Sequence, residues 1–112
     1  HQARENHEKA ERIYSLFERT RARLIELTSS TYSDKVVTAL FRAAIFQTTR
    51  VIKDSGVNPK TARRLLAALK EDGLLAELEP ASGSKPAIYL FPELFRISEG
   101  IDGGTGESVK SN

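Results

Sequence analysis

The sequence predicts a mainly α fold with a small β-hairpin, entered through a long amphipathic helix. Three observations carry that expectation. Residues 5–29 contain neither Gly nor Pro, and their apolar side chains recur at steps of three and four, the period of one helix face. Asn58-Pro59 and Gly73 bracket a second helical stretch with a start and a stop signal. Two short β-prone runs, 74–79 and 87–91, flank the loop Pro80-Ala81-Ser82-Gly83-Ser84-Lys85-Pro86, the layout of a hairpin.

Taken in order, the first helix carries its stripe on Ala10, Ile13, Phe17, Thr20, Leu24 and Leu27, widened by Tyr14 and Ile25. Such a helix must pack on something, because tertiary contact rather than propensity supplies most helical stability. Leu16 falls off the stripe and reads as a contact for a domain outside the chain. Thr28-Ser29-Ser30-Thr31 breaks the pattern. Ser33 is the expected N-cap of a helix over 34–42, with Asp34 favourable in its first turn and Val36, Val37, Leu40 and Phe41 facing inward. Ile45-Phe46-Gln47 reads as a single small strand. Thr48 or Thr49 is expected to cap a brief third helix through Val51, Ile52 and Lys53, ended by Gly56 in a left-handed conformation. The fourth helix has Asn58 as N-cap, Pro59 at N1, and a buried stripe of Ala62, Leu65, Leu66 and Leu69. After the hairpin, 92–98 gives a last helical turn, with Leu94, Phe95 and Ile97 available for the core. The expected division is a connector helix over 1–31, a compact domain over 32–99 and a flexible Gly/Ser-rich tail over 100–112.

Composition closes off several kinds of chemistry. A chain of 112 residues suffices for one modest core. It has no cysteine, which excludes disulfides and thiolate metal sites, and its histidines, His1 and His7, sit near one end. No metal or cofactor is therefore expected. No apolar run nears the roughly 20 residues of a membrane span, and the charged start is not a secretory signal, so the expected setting is cytoplasmic. The absence of methionine, with a start inside a helix, points to a piece of a longer polypeptide. The stretch 100–106 lacks the Gly-Lys-Ser/Thr ending of a phosphate-binding loop. Glu77 and Glu79 would share one face of a strand, as an acid/base pair might, but glutamates on a hairpin are as a rule solubilising. Tyr14, Tyr32 and Tyr89 read as core or edge residues. No catalytic residue is expected.

The formal net charge of +2 conceals a local block. Between Gln47 and Lys70 stand six basic residues (Arg50, Lys53, Lys60, Arg63, Arg64, Lys70) against one acid, Asp54. Association with phosphate depends on such a local field rather than on the total. The same residues fall on a telling order of elements: helix, short strand, helix, tight turn, helix, strand, loop, strand. That order is a winged helix-turn-helix preceded by a long amphipathic helix, with 59–72 as the recognition helix and 80–86 as the wing. The candidate DNA-binding residues are Thr49, Arg50, Lys60, Thr61, Arg63, Arg64 and Lys85, hydroxyls and long donors suited to bases and phosphates. Winged helices also serve as protein-interaction modules, so the fold alone does not decide the partner.

Asn58-Pro59-Lys60-Thr61-Ala62-Arg63-Arg64-Leu65, followed by Leu69 and Gly73-Leu74-Leu75, resembles the C-terminal winged-helix domain of bacterial Fic family proteins. Ala44-Ile45-Phe46 stands where that family has a short apolar stretch, and Ile88-Tyr89-Leu90-Phe91 with Leu94 and Ile97 resembles its strand-then-helix ending. The helix 8–27 resembles the connector leaving the catalytic domain. In that family the upstream domain transfers AMP from ATP to a hydroxyl of a target protein, through a loop that reads roughly H-P-F-x-x-G-N-G-R. Nothing here matches that loop, so its catalytic residues carry over to no position. The wing offers only Lys85, where the family often shows several cations. The resemblance implies an accessory domain without catalysis of its own, whose partners are DNA and a parent Fic-type catalytic domain. The rival expectations are a regulatory or target-docking module packed on that parent, and an independent transcription regulator that forms a homodimer through the first helix.

Overall fold

The computed structural model describes the backbone of residues 2–100 and the side chains from His7 onward. Five helices and three strands follow in the order α1 (Gln2–Thr28), α2 (Ser33–Leu40), β1 (Ile45–Gln47), α3 (Thr48–Ser55), α4 (Pro59–Asp72), β2 (Ala76–Glu79), β3 (Ile88–Leu90) and α5 (Pro92–Ser98). The fold is mainly α with a small antiparallel sheet, behind a long first helix. Beyond Gly100 the expected tail lies outside the described residues.

The long helix α1 does not stand apart. Leu16, Thr20 and Leu24 are buried, and the two leucines belong to one cluster with Val36, Val37, Leu40, Leu65, Leu66, Leu69 and Phe91. The expected stripe is therefore rotated: Leu16 faces the domain's own core rather than a contact outside it, while Ala10, Tyr14 and Leu27 are exposed. Tyr14 is 67% exposed and Tyr32 47%, so of the three tyrosines only Tyr89 is a core residue. The helix stops where Ser29 takes φ 55°, and its N–H donates to the Ile25 carbonyl at 2.7 Å. Ser33 is not the N-cap of α2. It lies inside the helix, buried, and its hydroxyl donates back to the Ser30 carbonyl at 3.0 Å, while Ser30 Oγ accepts from the Tyr32 N–H.

The hairpin gains a third strand. β1 pairs antiparallel with β3, giving the sheet order β1-β3-β2. Phe46 and Tyr89 face each other across that pairing with ring centroids 6.0 Å apart, and both are buried. On the other side Glu77 stands opposite Tyr89 but Glu79 opposite Ile88, with Leu78 bulged between. Successive residues of a strand point to opposite faces, so the bulge sends Glu77 and Glu79 to different faces. That removes the shared face a carboxylate pair would need. Phe17, Phe41 and Phe91 form an edge-to-face ladder with 5.3 Å centroid spacings, linking α1, the end of α2 and the residue ahead of α5. No described helix is long and apolar enough to cross a membrane.

Candidate nucleic-acid interface

The turn between α3 and α4 is fixed by its own side chains. Gly56 adopts φ 69° at the end of α3, a left-handed conformation that glycine reaches without Cβ strain. The buried Ser55 hydroxyl donates to the Ile52 carbonyl at 2.8 Å and accepts from the Val57 N–H at 3.1 Å. Val57 is buried beneath the turn. Asn58 then caps α4, its Oδ1 accepting from the Lys60 N–H at 2.9 Å, and Pro59 follows at the first helical position. This arrangement sets the angle at which α4 leaves α3, and so the direction in which its outer side chains project.

At the other end of α3 the expected threonine cap is absent. The N-cap is Gln47 without a side-chain bond, and Thr48 already lies within the helix. The reason is the sheet: the Thr48 N–H donates to the Ala87 carbonyl at 3.0 Å, continuing the β1–β3 ladder into the helix. One consequence is that the start of α3, with Thr49 and Arg50, lies beside the strand that leaves the wing, two residues from Lys85. The wing tip is a two-residue turn in which Ser82 and Lys85 exchange backbone hydrogen bonds of 3.0 and 2.8 Å. Gly83 takes φ 57° at its first central position, the requirement of a type II′ hairpin turn.

The candidate residues divide by their partners. Lys60, Arg63, Arg64 and Lys85 are exposed and make no ion pair or side-chain hydrogen bond to another described residue. Thr49 is also exposed, whereas Thr61 is half-buried on the flank of α4. Arg50 meets Asp54 one turn on at 3.4 Å, an exposed pair worth little in water and easily exchanged for another anion. Lys53, one turn on from Arg50 on α3, is exposed and likewise has no ion pair among the described residues. It belongs with the group, and only its place in the basic block of the sequence signalled it. The contrast is with α1, where Arg19 pairs with Glu93, Arg21 with Glu18 and Asp34, and Arg23 with Asp72 and Glu26. Lys35, Arg42 and Arg96 also have no ion pair among the described residues, but they are scattered over α2, its end and α5.

The concave surfaces lie elsewhere. One cleft between α1 and α5 mixes Glu8, Glu11, Arg19, Glu93 and Arg96 and offers no coherent charge. A second, apolar groove is lined by Ala10, Ile13, Tyr14, Phe17 and Phe41. Among the described residues no three His, Cys, Asp or Glu side chains gather as a metal site would need. No protein-family model, curated protein or solved structure matches the chain, so the likeness to Fic winged-helix domains rests on the residues of the 58–75 motif and its flanks alone.

Proposed function

We propose that the chain is a non-catalytic winged-helix accessory module of a Fic-like protein, acting in the cytoplasm and binding DNA through α4 and the 80–86 wing. One observation carries the reading: Lys53, Lys60, Arg63, Arg64 and Lys85 are exposed on α3, α4 and the 80–86 loop with no ion pair to another described residue, while the arginines at 19, 21 and 23 each pair with a carboxylate. Unpaired cations on a helix that can enter a groove gain from releasing the counterions condensed on DNA. The test is a salt titration of binding to mixed-sequence duplexes. Wild type should bind at low salt, and Arg63→Ala with Arg64→Ala should reduce both the affinity and the salt slope, by about one unit for each phosphate no longer neutralised. Absence of binding at low salt, or an unchanged slope in the double variant, refutes the reading. Incubation with labelled ATP should leave the chain unmodified.

A second reading, a module that docks a protein, has one observation in its favour. The apolar groove on α1 and Phe41 leaves Tyr14 67% exposed. Sedimentation of wild type and Tyr14→Arg tests it directly. A mass above the monomer that Tyr14→Arg abolishes would identify a second copy as the occupant.

A further inference from the structure

We infer that α4 divides its two adjacent arginines between two tasks, with Arg64 reading a guanine in the major groove and Arg63 holding the phosphate backbone. The inference rests on the DNA reading above and refines it.

Lys60, Arg64, Ala67 and Glu71 recur at i, i+4, i+7 and i+11, and all four are exposed. They form one line along α4, opposite the buried Ala62, Leu65, Leu66 and Leu69. Two ion pairs mark what lies to either side of that line. Lys70 reaches Glu77 of β2 at 3.5 Å, so the flank bearing Lys70 faces the sheet. Arg63, seven residues earlier and thus two turns back, lies on the same flank. Asp72 takes Arg23 of α1 at 2.6 Å, so the opposite flank faces α1, and the half-buried Thr61 and Ala68 lie along it.

A helix in a major groove about 12 Å wide presents its outermost line to the base edges and its flanks to the phosphate walls. Arg63 and Arg64 are about 100° apart around α4, so they cannot share one task. Arg64 is on the line itself, and its planar fork matches the O6 and N7 acceptors of guanine. Ala67, one turn on, is the smallest side chain that keeps full helix propensity, and it lets the helix sit deep enough for Arg64 to reach. Glu71 closes the line with a carboxylate that phosphates repel, which confines the footprint to residues 60–67. Arg63 lies on the flank that faces the sheet, and so on the phosphate side of the line. Phosphate contacts position a protein without reading sequence, so the two arginines should differ in what their removal does.

The experiment selects preferred duplexes from a random pool with the full chain. It then measures affinity for the selected duplex and for the same duplex with its preferred guanine replaced, each over a range of salt. Circular dichroism confirms that every variant is folded. Arg64→Lys should keep the salt slope but lose the preference, about tenfold, because an ammonium cannot make the bidentate contact. Arg63→Lys should keep both, and Arg63→Ala should weaken both duplexes alike and flatten the slope by about one unit. Ala67→Leu should weaken binding without changing the fold. Three results overturn the inference while leaving DNA binding intact: no guanine preference in wild type, a preference that survives Arg64→Lys, or a preference abolished by Arg63→Ala. Failure of wild type to bind any duplex at low salt overturns the DNA reading itself.

Discussion

Replacing Thr20 by valine should make this protein more stable. Thr20 is 1% exposed, between Leu16 and Leu24 on the buried face of α1, and its Oγ1 has no hydrogen-bond partner among the described residues. Two other helical threonines show what it forgoes: Thr28 donates to the Leu24 carbonyl and Thr38 to the Asp34 carbonyl, each at 2.8 Å. A hydroxyl taken from water into an apolar core without a partner costs about 1–3 kcal/mol on protein scales. Valine has nearly the same shape and a similar helix propensity, so neither packing nor backbone should offset the gain. We expect Thr20→Val to add about 1–2 kcal/mol, the lower half of that range because the surroundings relax. For a chain of this size each kcal/mol raises the melting temperature by about 4 °C. Urea unfolding followed by circular dichroism gives the cleaner number, since the midpoint should rise at constant m. Thr20→Ser, which keeps the hydroxyl and removes a methyl, should be destabilising. If Thr20→Val matches wild type or falls below it, the hydroxyl is satisfied in solution and the reasoning fails.

Leu16→Ala should cost about 3–5 kcal/mol, the range for a fully buried leucine that leaves a cavity; a change below about 1 kcal/mol in urea unfolding would mean that α1 is not part of the core. Gly73 closes α4 at φ 92° with open space where a Cβ would stand, so Gly73→Ala should destabilise through backbone strain alone, by about 1–2 kcal/mol, in the same assay. The Arg23 guanidinium, hydrogen-bonded to Asp72, holds that carboxyl below its ordinary value. A carboxyl depressed in the folded state stabilises above its unfolded pKa and ceases to do so as pH falls through the folded one. The stability gap between wild type and Arg23→Ala should therefore be constant near neutral pH and narrow below about pH 4, as read from unfolding midpoints over pH 2–7.

What the sequence made legible was mostly local. The helix-turn-helix stood out because Gly56, Asn58, Pro59 and Gly73 each act within a residue or two of where they sit, and the structure uses Gly56, Asn58 and Gly73 as caps and Pro59 at N1. The face of α1 did not, because steps of three and four residues fit two adjoining stripes. Packing by α2, α4 and α5 selected the one containing Leu16. Ser33 and Thr48 have the chemistry of caps but are claimed by other partners, the Ser30 carbonyl and the Ala87 carbonyl. The pairing of β1 with β3 joins residues more than forty positions apart, and no signal within three residues of strand could announce it. At the candidate interface the basic residues were legible as a block, but their division into paired and unpaired was not. Arg23 finds Asp72 across 49 positions, a pairing that no local pattern announces.

The bulge at Leu78 has a consequence for how these molecules meet one another. β2 is an outer strand of the sheet, and all four of its residues are exposed. A strand left open in this way is a template on which another chain can add itself, the first step toward fibrous or swapped assemblies. The extra residue interrupts the regular spacing of free N–H and C=O groups that such an addition requires. Glu77 and Glu79, turned to opposite faces, put a carboxylate in the path of an incoming strand from either side, and Pro80 ends the run at once. The bulge, the two carboxylates and Pro80 thereby oppose further growth of the sheet along β2.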